Sequence, residues 1–233
     1  MRAIIVAGGS STRMGFNKLL APLGGETVLW HSVRAFAGCP EVSELVLVAR
    51  SENRAELEAE AARAAGSLPL SVVSGGGERH LSVWAGLRAE TDSDWEWVAI
   101  HDAARPLVTV EAIRGCFDAA RMDGAACCAS PIPDTVKRAT ADGVVSESVD
   151  RAGLWAMQTP QIFSRKLILR AYSEVLERNE TVSDEVSAVQ RAGGAVRLYG
   201  NADWNFKITF PGDVERAEQV LRFRRALRAG REL

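Results

Sequence analysis

The residues best suited to chemistry stand at the ends of short apolar runs. Ala7-Gly8-Gly9-Ser10-Ser11-Thr12-Arg13-Met14-Gly15 follows the run Ile4 to Val6 and is built of small residues, whose amides can approach a phosphate or a base closely. It is neither a Walker loop, which needs GxxxxGK and then Ser or Thr, nor a GxGxxG dinucleotide fingerprint, because its glycines are adjacent and Arg13 occupies its interior. A tight structural turn would use the same glycines. Arg13 and Lys18 beyond a strand end suit a triphosphate, since cations concentrated there are costly without an anion. Lysine usage points the same way. Of 28 basic residues only Lys18, Lys137, Lys166 and Lys207 are lysine, so a compact point charge is used sparingly against an arginine background.

Two further stretches have the same character. His101-Asp102-Ala103-Ala104-Arg105-Pro106 follows an apolar run, and its carboxylate could accept from a ribose hydroxyl, hold Mg2+ near phosphates, or pair internally with Arg105. Gly75-Gly76-Gly77-Glu78-Arg79, with Ser82 after it, opens a helical segment where free amides and a hydroxyl could read a base or simply cap the helix.

These loops need a scaffold, and the pattern supplies one. Ile4 to Val6, Leu45 to Val48, Leu70 to Val73, Val98 to Ile100 and Ala125 to Ala129 read as strands. Between them Trp30 to Phe36, Arg54 to Ala65, Leu81 to Arg88 and Val110 to Met122 have helical spacing, with Thr109 as an N-cap. This βαβ alternation predicts an α/β fold with a Rossmann-like, mainly parallel sheet, helices on both faces and ligands beyond the carboxyl ends of the strands. The alternation breaks between Pro131 and Thr159, where Thr135 to Ala139 and Val144 to Val149 flank Asp142-Gly143 and read as a hairpin arm over residues 132–151. The arm has too little apolar surface for a core of its own, so it is expected to pack on a partner chain. Helices at Arg165 to Glu177 and Asp184 to Ala192, strands at Val196 to Tyr199 and Phe206 to Ile208, and a last helix from Gly212 complete a single domain over residues 1–233.

Bulk properties exclude several partners. With 28 basic against 30 acidic residues the net charge is -2, which gives no general attraction for nucleic acid or an anionic membrane. No apolar run has the length of a bilayer span, and MRAIIVAGG is not a secretory leader, so a cytoplasmic location is expected. Cys39, Cys116, Cys127 and Cys128 form no CxxC and read as buried reduced thiols; alternation puts Cys127 and Cys128 on opposite faces of a strand.

Taken together the blocks resemble the 2-C-methyl-D-erythritol 4-phosphate cytidylyltransferases of non-mevalonate isoprenoid synthesis. The resemblance runs almost end to end, through Ala7-Gly8-Gly9 with Arg13-Met14 and Lys18, Gly76 to Arg79 with Ser82-Val83, and His101 to Pro106. It continues in Asp134 to Ala139, Val149-Asp150-Arg151, Thr159-Pro160-Gln161, Ser183-Asp184-Glu185 and Asn205 to Thr209. It implies transfer of CMP from CTP to methylerythritol phosphate by a homodimer whose hairpin arm completes the partner's site. By that likeness Ala7, Gly8, Gly9 and Ser11, with Gly76 and Ser82, hold cytosine, and Asp102 and Ala103 lie at the ribose and metal region with Mg2+. Arg13 and Lys18 face the triphosphate, and Arg105, Ser183, Lys207 and Thr209 line the sugar-phosphate pocket. Thr135 and Arg151 come from the partner's arm, and Thr159 lies close by. Arg13, Lys18 and Lys207 are the implied catalytic cations. The chain departs from the family pattern at Asn17, Leu19, Leu20, Gly77, Ser183 and Thr209 and in a short loop before Lys18. These departures leave room for another polyol phosphate such as ribitol 5-phosphate as acceptor, or for nucleotide binding without turnover.

Overall fold

The computed structural model describes residues 1–9, 17–91 and 94–230. In chain order the elements are β1 (Arg2–Val6), β2 (Pro22–Leu23), β3 (Glu26–Thr27), α1 (Val28–Ala37), β4 (Glu44–Ala49), α2 (Arg54–Ala65), β5 (Leu70–Ser74), α3 (Arg79–Leu87) and β6 (Trp97–Asp102). Then follow α4 (Val110–Asp123), β7 (Ala125–Pro131), β8 (Val136–Ala139), β9 (Val145–Val149), β10 (Trp155–Ser164), α5 (Arg165–Glu177), α6 (Glu185–Arg191), β11 (Arg197–Gly200) and α7 (Gly212–Ala229). Seven strands form one sheet in the order β11-β7-β10-β6-β1-β4-β5. β1, β4, β5 and β6 pair in parallel, as do β7 and β11.

Side-chain alternation splits the core in two. Ala3, Ile5, Leu45 and Leu47 face one layer with Leu29 and Phe36 of α1, Leu57 of α2 and Ile113 of α4. Ile4, Val46, Val48 and Ile100 face the other with Val83 of α3 and Ile168 and Tyr172 of α5. A strand with both faces covered must be apolar throughout, which is why these runs lack the polar alternation of a half-exposed sheet. Cys128 belongs to the first layer and Cys127 to the second, and all four cysteines are buried and unbridged. Thr109 caps α4, its hydroxyl accepting from the Ala112 N–H at 3.1 Å. Gly124 ends that helix at φ 86°, a left-handed conformation that glycine adopts without strain.

Two expectations need correction. β10 lies antiparallel between β6 and β7 in mid-sheet, where the sequence pattern predicts no strand. Its run Gln158-Thr159-Pro160-Gln161 is polar and contains a proline, and the register shifts between Met157 and Gln161, so the proline falls in a bulge. Phe206 to Ile208 is not a strand; the Ile208 N–H instead bonds the Ala104 carbonyl at 2.8 Å, tying an irregular segment to the end of β6.

β8 and β9 pair antiparallel as a separate two-stranded sheet, with Val144 and Val145 60% and 62% exposed. No helix among the described residues is long and apolar enough to cross a membrane.

Candidate active site

The chain leaves β1 toward β4 on one side and later returns to β6 on the other, so a crevice opens beyond the carboxyl ends of β1 and β6. Val6 and Asp102 are register partners at that point. A cavity of about 280 Å³ occupies the crevice and extends under the glycine turn after β5. Its walls include Ala7, Gly8, Gly9, Gly76, Ser82 and Asp102, with Lys18 and Lys207 at one side. In the turn after β5 side chains would not fit: a Cβ on Gly75 would sit 2.8 Å from Ser82 Oγ, and one on Gly76 would sit 2.4 Å from Leu81 Cβ. Ser82 Oγ itself bonds the carbonyls of Gly76 and Glu78 at 3.3 and 3.1 Å, stitching the turn to α3.

Asp102 is the electrostatic centre. Its Oδ2 accepts from Lys207 Nζ at 3.0 Å and from Arg105 Nε at 3.5 Å, and its Oδ1 from Arg79 Nε at 3.3 Å. Burial works to raise this carboxyl, but the charges of Arg79, Lys207 and Arg105 outweigh it and hold it well below the usual carboxylate range. Asp102 is therefore a fixed anion at any ordinary pH. The internal pair with Arg105 does form, but within a set of three cations. Lys18 donates to the Ile208 carbonyl at 2.8 Å, so two lysines far apart in sequence flank the same crevice.

The sequence marked Arg79 as the end of a glycine turn and of the Gly76 to Arg79 block, without a role of its own. Its guanidinium forks onto Glu185 at 2.7 and 3.0 Å while its Nε reaches Asp102. Glu185 is fully buried and also accepts from Tyr172 Oη at 3.0 Å. Burial would lower the Arg79 pKa, but Glu185 and Asp102 raise it instead. The arginine is thus a permanent strut between α6 and the carboxylate at the cavity mouth.

A second support lies behind Asp102. Its backbone N–H donates to Thr159 Oγ1 at 3.1 Å, Thr159 Oγ1 lies 2.9 Å from His101 Nδ1, and His101 Nε2 lies 3.2 Å from the Arg105 carbonyl. One proton arrangement satisfies the whole chain, with a neutral His101 carrying its proton on Nε2 and accepting from the Thr159 hydroxyl. Burial holds His101 neutral, its pKa falling to about 3. Asn205 Nδ2 closes the assembly by donating to the Thr159 carbonyl at 2.7 Å.

Several expected ligand contacts lie elsewhere. Thr159 is 3% exposed, and its hydroxyl is committed to His101 and Asp102, which makes it a support. Ala103 is fully buried, its N–H on Val6 and its carbonyl on Ser32 Oγ, and Ala104 is the alanine that reaches the cavity. Arg105 bonds the Asn205 carbonyl at 2.8 Å as well as Asp102. Ser183 is exposed beside Ser187, and Thr209 Oγ1 donates to the Lys207 carbonyl; neither lines the cavity. Thr135 and Arg151 are exposed at the base of the arm, where Arg151 bonds the Pro133 carbonyl. Ser11 and Arg13 lie outside the described residues. Arg50, by contrast, lines the cavity and was not singled out from sequence, although its place just after a strand is the signal that marked the other loops.

Comparison with known proteins follows the same lines. The family model described as 2-C-methyl-D-erythritol 4-phosphate cytidylyltransferase matches residues 1–223. A protein of that name from Symbiobacterium thermophilum is 42% identical over 223 residues, covering 94% of this chain and 91% of its own length. Another from Caldanaerobacter subterraneus is 39% identical over 94% of this chain and 98% of its own. Among solved structures, 4-diphosphocytidyl-2C-methyl-D-erythritol synthase from Anaerococcus prevotii superposes with a TM-score of 0.81 at 28% identity, covering 95% of this chain and 97% of that one.

Proposed function

This chain belongs to the 2-C-methyl-D-erythritol 4-phosphate cytidylyltransferase family, and from that premise we propose that it transfers the CMP part of CTP to 2-C-methyl-D-erythritol 4-phosphate, releasing pyrophosphate. The observation that carries the reading is the Asp102 carboxylate, ringed by Lys207, Arg105 and Arg79 at the mouth of a glycine-walled cavity at the sheet's switch point.

The turns at Gly8-Gly9 and Gly76-Gly77 take the base, and Ser82 holds the second turn in shape. Lys18 and Lys207 face the triphosphate. An oxygen of the acceptor's phosphate attacks the α-phosphorus of CTP; the new P–O bond forms as the bond to the β-phosphate oxygen breaks, and pyrophosphate leaves with that electron pair. A phosphate dianion needs no general base, so the protein's work is alignment and charge stabilisation. Lys207 is suited to stabilising that charge, because its side chain is 41% exposed on a flexible stem and is held against Asp102 until an anion competes for it.

Among the described residues no cluster of three acidic, histidine or cysteine side chains is placed to hold a metal. A single carboxylate fits Mg2+ nonetheless, because that ion is commonly bound by one carboxylate, water and substrate phosphates. Asp102 would hold it, and the bound ion would supply charge neutralisation along the phosphates. In this reading the exposed hairpin packs on a second copy, bringing Thr135 and Arg151 to the partner's acceptor pocket, with Arg105, Ser183 and Thr209 near the acceptor phosphate.

The test is pyrophosphate release with CTP, Mg2+ and a panel of acceptors. Metal-dependent turnover with methylerythritol phosphate is expected; preference for ribitol 5-phosphate would change the acceptor, and no turnover with any acceptor would refute the reading.

A further inference from the structure

β4 lies between β1 and β5 in the sheet, so the residue that follows it stands between the two glycine turns. That residue is Arg50. Its Nε donates to the Gly8 carbonyl at 2.6 Å, and its side chain forms part of the cavity wall. Among the described residues its side chain makes no other hydrogen bond. Ala7 N–H is fixed on the Val48 carbonyl at 2.8 Å and a Cβ on Gly8 would meet Ser82 Oγ at 3.3 Å, whereas among the described residues nothing lies within 4 Å of the place a Cβ on Gly9 would occupy. A peptide unit between two glycines can rotate at low cost, exchanging the direction of its carbonyl with that of its N–H. In a trans peptide these two groups point in opposite directions. Pinning the Gly8 carbonyl on Arg50 therefore fixes the direction of the Gly9 N–H, and Gly9 itself lines the cavity.

We propose that Arg50 is a positioning residue of the nucleotide site, latching the Gly8–Gly9 peptide so that the Gly9 N–H is presented to bound CTP. The inference rests on the cytidylyltransferase reading above. It assigns the effect to the Nε hydrogen bond and not to the charge of the guanidinium, and those two can be separated. Glutamine places its Nε2 at the same point along the side chain as arginine Nε and so keeps a donor without the charge. Methionine keeps the length and loses both.

The experiment compares wild type, Arg50→Gln and Arg50→Met by calorimetric CTP binding and by steady-state kinetics with CTP and the acceptor varied in turn. Arg50→Met is expected to weaken CTP binding and raise the CTP KM about tenfold, about 1.4 kcal/mol, with kcat and the acceptor KM little changed. Arg50→Gln is expected to stay within about threefold of wild type, which is about 0.7 kcal/mol. If Gln is as impaired as Met, the residue acts by charge and the latch is refuted; if neither variant is impaired, Arg50 has no part in binding. A wild-type protein that neither binds nor turns over CTP would refute the functional reading itself, a result distinct from both.

Discussion

Acidification should unfold this protein partly through one buried histidine. Folding carries His101 into a site where burial, aided by the charges of Arg105 and Lys207, outweighs the attraction of Asp102, and its pKa falls from 6.5 to about 3. Above 6.5 the ring is neutral in both folded and unfolded chains and contributes nothing to the pH dependence. Below 6.5 the unfolded chain takes up a proton that the folded chain does not, so stability is lost as pH falls from 6.5 toward 3, at about 1.4 kcal/mol per pH unit. Between neutrality and about pH 4.5 the loss is roughly 3 kcal/mol, a large share of the roughly 5–15 kcal/mol that holds a typical domain folded. The perturbation is His101→Gln, whose amide can accept from Thr159 and donate to the Arg105 carbonyl without titrating. Urea midpoints and m-values for the two proteins would be measured across that range. Wild type is expected to lose roughly 3 kcal/mol more than the variant, because every other group titrates in both. Parallel stability curves would refute the neutral, buried assignment of His101.

Three other outcomes are expected. Lys207→Met should reduce kcat at least a hundredfold, about 3 kcal/mol of transition-state stabilisation, while thermal melts stay near wild type because the side chain is 41% exposed and Arg79 and Arg105 still hold Asp102. Glu185→Ala, which leaves the Arg79 fork without its buried partner, should cost about 3–5 kcal/mol in urea denaturation. Subunits carrying Arg151→Ala and Lys207→Ala, each inactive alone, should recover about a quarter of wild-type turnover when mixed, since random pairing gives half heterodimers with one intact site each; a mixture no better than its parents would exclude an arm shared between subunits.

Much of this was legible in the chain because it depends on local pattern. The runs Ile4 to Val6, Leu45 to Val48, Val98 to Ile100 and Ala125 to Ala129 are apolar because they lie inside the sheet and are covered on both faces. The Thr109 cap and the helical spacing of α4 act within a few residues of themselves. The loops after β1, β5 and β6 could be marked as a site because strand ends in such a sheet are where ligands bind, and Gly8, Gly76, Asp102 and Lys207 do meet there.

Other features depended on partners distant in sequence. β10 reads as a polar, proline-bearing stretch, and only pairing with β6 and β7 makes it a strand. Thr159 looks like a ligand hydroxyl until His101 and the Asp102 N–H are seen to occupy it. Arg79, one arginine among many, becomes the strut of Asp102 only when α6 brings Glu185 to its fork. Arg50 meets Gly8 only because β4 is inserted beside β1. Residue type and spacing by themselves determined which chemistry the chain can hold, since they set charge, donors and backbone freedom. Which charges meet, which hydroxyls are already spent and which peptide is pinned were decided by tertiary structure alone, because those are questions of distance between residues that the chain's order keeps apart.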